Sequence, residues 1–263
     1  MTNDQHNRKA WNRMSGPSCP WSTPVSKAEI DAARSGEYSV SVAGMKPLPV
    51  EWLGKVKGKS VLCLAAGGGQ QAPILAAAGA TVTLLDISDE QLELDRQVCS
   101  EHSLPMTILQ GTMADLSRFP DACFDMIVNP VSNVYVQDLA SVWKACYRVL
   151  GKEGRLIAGS INPINFLFEE NEGQTNTGLN VKYALPYVES ETLTKAELDA
   201  AVSREMVFTW SHSLEEIIQG QLNVGFLLAG LIESRRSDMR APSINRFTDT
   251  YISTFAIKQG GKK

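Results

Sequence analysis

The sequence is poor in the residues that build metal sites and disulfide frameworks. It has five cysteines, Cys19, Cys63, Cys99, Cys123 and Cys146, which are widely spaced and include no C-x-x-C pair. Only three histidines accompany them. An odd number of isolated cysteines argues against a disulfide framework, and this spacing does not match the usual zinc ligand sets. We therefore expect a reduced protein without a metal site.

A surplus of positive charge and a long apolar run are also missing. The net charge is -4, the pI is about 5.5, and the one basic stretch is short, with Lys55, Lys57 and Lys59. Nucleic-acid binders neutralise phosphates with a basic stripe, so this composition favours small-molecule chemistry. No apolar run has transmembrane length, and the opening "MTNDQHNRKAWNRM" lacks the apolar core of a signal peptide. The sequence predicts a cytoplasmic monomer or homodimer that acts on a small molecule, with neither a nucleic-acid nor a membrane partner.

Alternating strand and helix patterns occupy residues 60–160. Five apolar runs are typical of buried strands: "SVLCLA", "TVTLLD", "MTILQG", "FDMIVNP" and "RLIAGS". Between them lie helix patterns, one with a capping box of Ser88 and Gln91 and one with Asp138 as its expected cap. Continuous apolar strands joined by helical crossovers predict a doubly wound, mostly parallel α/β sheet.

The flanks depart from this rhythm. We expect residues 1–56 to form an irregular cap with one helix starting at Ser26, and residues 161–205 to form an insertion. The insertion contains a short helix pattern capped by Thr194 and Glu197. Further along, "REMVFTWS" resembles an added strand, "SLEEIIQGQLNVGFLLAGLIES" a helix then a strand, and "TYISTFAIKQ" a last strand. The final two strands are expected to form an antiparallel edge.

A glycine triplet stands between the first strand and the first core helix. Gly67 to Gly69 permit positive φ angles and a close approach of a ligand to the backbone. Asp86 closes the second strand, nineteen positions after Gly67, where a carboxylate can accept both hydroxyls of a ribose. This pattern predicts a nucleoside-like cofactor; the alternative is a tight turn with Asp86 as a helix cap. Gly67-x-Gly69-x-x-Ala72 also fits a dinucleotide pattern.

From about residue 57 to 160 the chain resembles the class I S-adenosylmethionine (SAM)-dependent methyltransferases, nearest the type 11 group. The resemblance lies in "GKSVLCLAAGGGQQ", "VTLLDIS", "QGTMADLSRF", "ACFDMIVNPVSNVYVQD" and "VWKACYRVLGKEGRLIAG". It implies a Rossmann-like, seven-stranded sheet with a reversed final strand, matched here by "STFAIKQ". The implied domain is 57–263, with residues 1–56 as a cap and 161–205 as a substrate-cap insertion.

The resemblance also implies which residues hold SAM. By this resemblance, Ala65, Gly67 and Gly69 line the methionine part of SAM, and Asp86 holds its ribose. Ile87 lies beside the adenine, and Thr112 and Met113 lie at the edge of the adenine. Asn129 and Val131 face the sulfonium. The full implied set is Trp21, Ala65, Ala66, Gly67, Gly69, Gln71, Asp86, Ile87, Thr112, Met113, Asn129 and Val131. The chain departs from the family pattern at three positions. Cys63 stands where the family has the acid of its first motif, and Ala65 stands where it has the first glycine. Thr112 stands where the family has an acid beside the adenine. We expect Cys63 to be a small buried residue rather than a nucleophile.

Methyl transfer from a sulfonium is an in-line displacement with a good leaving group, so alignment can supply most of the acceleration. A base helps only when the acceptor carries a proton. The candidate catalytic residues are Tyr183, His212 and Tyr135, with Asn133 as a further group that could face the acceptor. The alternative for Tyr183 is ordinary packing within a loop. The alternative for His212 is an exposed position at the start of a helix.

Two tryptophans in the N-terminal part bear on the substrate site. Trp11 and Trp21 suggest a mobile cap over SAM, and the alternative is that they pack on the outer helices. Three functions stay open at this point: a small-molecule methyltransferase, an NAD(P)-dependent oxidoreductase, and a SAM-binding protein without catalysis.

Overall fold

The computed structural model describes residues 2–16, 19–44, 46–168, 179–235 and 243–260. One seven-stranded sheet has the order β3-β2-β1-β4-β5-β7-β6. The strands are β1 Ser60–Leu64, β2 Thr81–Asp86, β3 Met106–Gln110, β4 Phe124–Asn129, β5 Leu150–Ile161, β6 Phe226–Ser234 and β7 Tyr251–Lys258. Strands β1 to β5 pair in parallel, and β7 runs antiparallel between β5 and β6. The predicted doubly wound α/β fold with a reversed final strand is confirmed.

Helices cover both faces of the sheet. In the described part of the chain they are α1 Asn3–Met14, α2 Lys27–Arg34, α3 Val50–Leu53, α4 Gln71–Ala77, α5 Asp89–His102, α6 Leu139–Val149, α7 Glu189–Thr192, α8 Lys195–Ser203 and α9 Gly220–Asn223. A π-helical turn, Glu215–Gln219, leads directly into α9. Among these described residues no helix is long and apolar enough to cross a membrane.

Side-chain caps begin several helices where the sequence predicts them. The hydroxyl groups of Ser26 and Thr194 each accept a backbone N–H in a complete capping box. Asp138 accepts the backbone N–H of Ser141 at 3.0 Å. Ser88 caps α5, but the side chain of Gln91 does not return to it and donates elsewhere, so the predicted capping box there is only half formed.

The strands alternate between two cores because successive side chains of a strand point to opposite faces. On β1, Val61 and Cys63 join the core under α2, α4 and α5, whereas Leu62 and Leu64 join the core under α6. Cys63 is fully buried, as expected, and burial raises the pKa of its thiol. On the other face, the fully buried ring of Trp143 donates its indole N–H to the carbonyl of Glu216 at 3.0 Å, which ties α6 to the π-helical turn.

Residues 1–56, called the N-terminal segment below, cross the carboxyl ends of the parallel strands. The backbone N–H of Val131, just beyond β4, donates to the carbonyl of Val42 at 2.8 Å. A side chain at Gly159 of β5 would overlap that same carbonyl oxygen. The segment therefore lies directly on the sheet edge where ligands of open α/β sheets bind.

Three local expectations differ from the structure. The segment 1–56 was expected to hold one helix, yet α1 adds a 12-residue helix, started by a capping box of Thr2 and Gln5. No strand forms over 204–211: Trp210 makes only an isolated bridge to Val188, since its N–H donates to Val134 at 2.8 Å. Strand β5 begins at Leu150, earlier than "RLIAGS", because Leu150 already pairs with Phe124. Part of the predicted insertion, residues 169–178, lies outside the described residues.

Replacement of Trp143 by alanine tests the core that supports α6. The Trp143→Ala variant is expected to lose about 3–5 kcal/mol of unfolding free energy, because a fully buried indole is removed and its cavity remains. Denaturant unfolding measures the loss. The matched control is Val50→Ala, whose side chain is 76% exposed and whose loss should stay within about 0.5 kcal/mol. Equal losses in the two variants would contradict this account of the core.

Candidate active site

A cavity of about 240 Å³ opens at the carboxyl ends of the parallel strands. Its wall combines the loop after β1, the end of β2, the loop after β4 and the N-terminal segment. Of the residues predicted to hold the cofactor, the following line it: Trp21, Ala65, Ala66, Gly67, Gln71, Asp86, Ile87, Thr112, Met113 and Val131. The structure thus brings most of the predicted set to one place.

Gly69 and Asn129 are not part of this wall. At Gly69 an added Cβ would lie 2.9 Å from the Pro24 side chain, so that glycine faces the N-terminal segment. Asn129 is fully buried, and its amide nitrogen donates to the Leu64 carbonyl and the Ser132 hydroxyl, both at 2.8 Å. Asn129 therefore joins the ends of β1 and β4 beneath the cavity, and its expected place beside a sulfonium stays a prediction that the cavity wall does not support.

The glycine loop presents three successive backbone N–H groups to carboxylates of the protein. Gly67 donates to Asp86 Oδ2 at 2.9 Å. Gly68 and Gly69 donate to Asp95 Oδ2 at 2.9 and 3.0 Å. Gly68 and Gly69 have φ angles of 114° and 74°, which glycine tolerates better than any other residue. The amides that could otherwise bind an anion are thus already engaged.

Ala65 also departs from ordinary backbone geometry. Its φ is 49°, in the left-handed region, and its N–H donates to the Leu85 carbonyl at 2.7 Å. A left-handed conformation costs a non-glycine residue about 1–3 kcal/mol. The alanine that replaces the family's first glycine keeps the glycine-like conformation and places a methyl group in the cavity wall.

Asp86 is held by the backbone at the end of β2. Its two oxygens accept the N–H groups of Gly67 and Ser88, both at 2.9 Å. Burial raises the pKa of its carboxyl, against the lowering effect of these hydrogen bonds. Each carboxylate oxygen has a second lone pair, so Asp86 can still accept the hydroxyls of a ribose.

Gly67 allows the loop to pack closely against this carboxylate. A Cβ at Gly67 would lie 2.8 Å from the Cβ of Gln91 and 3.1 Å from the carboxyl carbon of Asp86. Asp86 also lines the cavity, together with Ile87, Thr112 and Met113. An acceptor for ribose hydroxyls beside partly apolar side chains suits a nucleoside, with the ribose at Asp86 and the adenine near the other three residues.

The N-terminal segment is fastened to the glycine loop by the side chains of Gln70, just before α4, and Gln91 of α5. Gln70 donates to the carbonyls of Pro20 and Thr23 at 3.0 and 3.1 Å. Gln91 donates to the Ser22 hydroxyl at 2.8 Å. A side chain at Gly68 would overlap the Trp21 carbonyl. The segment and the loop are therefore packed backbone against backbone.

Both tryptophans lie in the cavity wall rather than on the outer helices. Trp11 meets the ring of Tyr135 edge-on, with centroids 5.2 Å apart. On the same helix, Asn7 donates to the Phe208 carbonyl at 3.1 Å and accepts the Phe208 N–H at 2.8 Å. Helix α1 is thereby joined to the chain just beyond the predicted insertion, and α1 itself covers the cavity from one side.

Of the candidate catalytic residues, only Tyr135 reaches the cavity. Tyr183 packs on Tyr187, with ring centroids 5.0 Å apart, away from the wall. His212 is 5% exposed, and its Nε2 lies 3.0 and 2.8 Å from the carbonyls of Asn133 and Val136. Since carbonyls only accept, Nε2 carries the proton and is committed to the loop after β4. His212 is neither exposed nor aimed into the cavity.

Asn133 is likewise outside the cavity wall. It is 1% exposed, and its amide donates to the Gly159 carbonyl and the Ser160 hydroxyl, both at 3.0 Å. It fixes the loop after β4 to β5, and its expected contact with the acceptor stays a prediction. In the part of the chain that the structure describes, no three His, Cys, Asp or Glu side chains are grouped as a metal site.

Sequence reasoning missed Asp95, which binds two of the three loop amides. A signal was present: on α5, Asp95 stands between Leu92 and Val98 at helical spacing, so an acid occupies the apolar stripe. Sequence reasoning also missed Asp4 and Asn7, which line the cavity, because α1 was not predicted.

Comparisons with known proteins relate the chain to methyltransferases. The sequence profile of a family described as "Methyltransferase domain" matches residues 62–158. Over 253 residues the chain is 40% identical to a Bacillus subtilis (strain 168) protein named "Uncharacterized methyltransferase YbaJ". That alignment covers 96% of this chain and 97% of the relative.

Solved structures share the fold at low identity. A putative SAM-dependent methyltransferase from Listeria monocytogenes superposes with a TM-score of 0.61 at 18% identity, over 80% of this chain and 95% of that one. A geranyl diphosphate C-methyltransferase from Streptomyces coelicolor A3(2), crystallised with S-adenosyl-L-homocysteine, has a TM-score of 0.60 at 12% identity. Its alignment covers 98% of this chain and 99% of that one, which includes the N-terminal segment.

Removal of the Asp86 carboxylate tests the ribose site. The Asp86→Ala variant is expected to bind S-adenosylhomocysteine at least about tenfold more weakly, because charge-assisted hydrogen bonds are lost. Calorimetric titration measures the dissociation constant. Asp115→Ala, which removes a carboxylate outside the cavity wall, is the control and should bind as the parent does. Unchanged affinity in Asp86→Ala would exclude the ribose role.

The attachment of α1 can be tested with an isosteric change. In Asn7→Asp, a carboxylate faces the carbonyls of Tyr135 and Phe208, where the amide of Asn7 donated hydrogen bonds. We expect a loss of about 1–3 kcal/mol in unfolding free energy and faster hydrogen exchange over residues 3–14. The control Asn3→Asp adds the same charge at an exposed position of the same helix. If both variants exchange like the parent, the contact does not fasten the helix.

Proposed function

Since this chain belongs to the class I SAM-dependent methyltransferases, we propose that it transfers the methyl group of SAM to a small-molecule acceptor. The observation that carries the acceptor class is the cavity itself, which the N-terminal segment covers from one side with Trp11, Trp21 and residues 41–44. A covered space of about 240 Å³ suits a small molecule better than a protein or nucleic-acid chain.

We assign the cofactor contacts as follows. Asp86 accepts the ribose hydroxyls, and Ile87, Thr112 and Met113 surround the adenine. The wall from Ala65 to Gly67 and Gln71 holds the methionine part. Val131 lies near the sulfonium, and Trp21 covers the cofactor from the N-terminal segment. Each of these residues lines the cavity, which supports the assignment.

SAM supplies an electrophilic methyl group on a sulfonium when it is bound. The protein's part is to align the acceptor with that methyl group and to exclude water, which can supply about 7–11 kcal/mol of the barrier. Trp11 and Tyr135 stand edge to face at the end of the wall that α1 covers, and their rings suit an acceptor with a flat or apolar body. Tyr135 is the one candidate base retained, for acceptors that lose a proton.

We further propose a division of labour between segments. Residues 1–56 serve as the cap, and residues 57–263 form the methyltransferase domain. The predicted insertion at 161–205 takes part through the chain that follows it, where Met206 and Phe208 contact His6 and Asn7 of α1. The cytoplasmic location and the monomeric or homodimeric state stay predictions.

The glycine loop argues against the oxidoreductase alternative. Dinucleotide-binding loops leave their amides free for a pyrophosphate. Here Gly67, Gly68 and Gly69 already donate to Asp86 and Asp95, whose charge would repel a pyrophosphate. SAM carries two positive groups and one carboxylate, and an acidic cleft suits that charge.

One titration series followed by an acceptor screen tests the proposal. The purified chain is expected to bind SAM and S-adenosylhomocysteine in calorimetry and to show no heat with NADH. Incubation with methyl-labelled SAM and pools of small phenols, amines, thiols and carboxylates should then transfer label to one pool. Label found only on added protein or RNA would overturn the small-molecule acceptor. Binding without transfer to any acceptor would favour the SAM-binding protein without catalysis.

A further inference from the structure

One buried carboxylate takes no part in the proposed cofactor contacts. Asp95 lies on α5, is 0% exposed, and is not in the cavity wall. One of its oxygens, Oδ2, accepts the N–H groups of Gly68 and Gly69 at 2.9 and 3.0 Å. Its other oxygen, Oδ1, has no hydrogen-bond partner among the described residues.

The inner side of α5 links the three parts that form the cleft. Ser88 shares a hydrogen bond with Asn12 of α1 at 2.8 Å, and Gln91 donates to Ser22 at 2.8 Å. The Gln91 carbonyl also accepts the N–H of Gly68 at 3.2 Å. Asp95 lies one helical turn beyond Gln91 and completes this row at the glycine loop.

The loop conformation needs such an anchor. Gly68 and Gly69 adopt positive φ angles. The N-terminal segment packs closely against both residues, with the Trp21 carbonyl at Gly68 and the Pro24 ring at Gly69. Their N–H groups cannot form helix or strand hydrogen bonds there. An unpaired buried N–H is costly. Asp95 is the acceptor for Gly69, and it shares the N–H of Gly68 with the Gln91 carbonyl.

We propose that Asp95 is the positioning residue that holds the glycine loop in its cofactor-binding shape, and that it does so in its ionised form. The proposal rests on the proposed function, because it takes the loop to be the SAM site. A carboxylate accepts two N–H groups more strongly than a protonated carboxyl does. Loss of the charge therefore loosens Gly68 and Gly69, which follow the cavity-lining Gly67.

The surroundings of Asp95 bring the pKa of its carboxyl close to neutral pH. Burial, opposed by the hydrogen bonds from Gly69 and Gly68, raises the pKa of Asp95 to about 7. The nearby charge of Asp86 raises it further, and Arg96 lowers it. On the packed side, the negative charge of Asp95 adds to the burial that raises the thiol pKa values of Cys63 and Cys99.

The ionisation of Asp95 sets the direction in which pH changes the affinity for the cofactor. The ionised form holds the loop, so affinity for the cofactor is full above the pKa of Asp95 and falls as the pH drops through it. From about pH 8 to about pH 6, the dissociation constant of S-adenosylhomocysteine is expected to rise about tenfold. Asp86 also titrates with a raised pKa, so a variant must separate the two carboxyls.

The experiment compares Asp95→Asn with the parent by calorimetry across this pH range, with S-adenosylhomocysteine as the probe. At about pH 8 the variant should bind about tenfold more weakly, because the charge-assisted bonds to the loop are lost. Its affinity should also change little down to about pH 6, since Asp95 no longer titrates. Asp115→Asn, an exposed carboxyl, should keep the parent's profile.

Three further outcomes separate the possibilities. Circular dichroism and thermal unfolding confirm that Asp95→Asn is folded, and hydrogen exchange should show faster exchange at Gly68 and Gly69 alone. A variant that is less stable yet keeps the parent's affinity and pH profile would overturn the proposal and leave Asp95 as a fold-supporting residue. If the parent itself binds no S-adenosylhomocysteine at any pH, the proposed function fails rather than the role of Asp95.

Discussion

The structure of the cleft depends on the pairing of three adjacent backbone N–H groups with two buried carboxylates. Gly67 donates to Asp86, and Gly68 and Gly69 donate to Asp95. Polar groups removed from water must find partners, and the amides of Gly68 and Gly69, which have positive φ, cannot find them in a helix or a strand. The two acids come from different elements, the end of β2 and the inner side of α5. The loop therefore fixes the relative positions of β1, β2 and α5.

The N-terminal segment is a structural partner of that loop. It approaches Gly68 through the Trp21 carbonyl and Gly69 through the Pro24 ring, and it receives hydrogen bonds from Gln70 and Gln91. Helix α1 then extends the same covering to the chain near Phe208. The wall of the cavity is thus assembled from residues that are distant in sequence, joined by close backbone packing and by the side-chain amides of Asn7, Gln70 and Gln91.

Much of the sheet was predictable because its signal is local. Continuous apolar runs mark β1 to β5, and the caps at Ser26, Asp138 and Thr194 follow from residue type and spacing. The glycine loop and Asp86 follow from residue pattern, whereas the other residues of the cofactor wall are implied by the family resemblance. The helix α1 was within reach, since Thr2 and Gln5 form a capping box that the sequence displays.

The remaining features depend on contacts that spacing does not encode. In the sequence, His212 and Asn133 look like free polar groups. In the fold, both side chains are hydrogen-bonded to backbone carbonyls of distant segments. The run 204–211 has strand composition, but Asn7 and Val134 take up the backbone groups of Phe208 and Trp210 that a strand would need. Asp95 occupies an apolar stripe, and only the fold reveals the loop amides that it meets.

Gly159 has a consequence for how this chain could diversify. Any side chain at this position would overlap the Val42 carbonyl. The N-terminal segment can therefore follow its present course only while residue 159 is glycine. A lineage that lost or exchanged the segment would be free to vary Gly159, whereas one that keeps the segment is not. The residue at this position of β5 is thus a marker by which descendants of this architecture could be sorted into those that retain the covering and those that have discarded it.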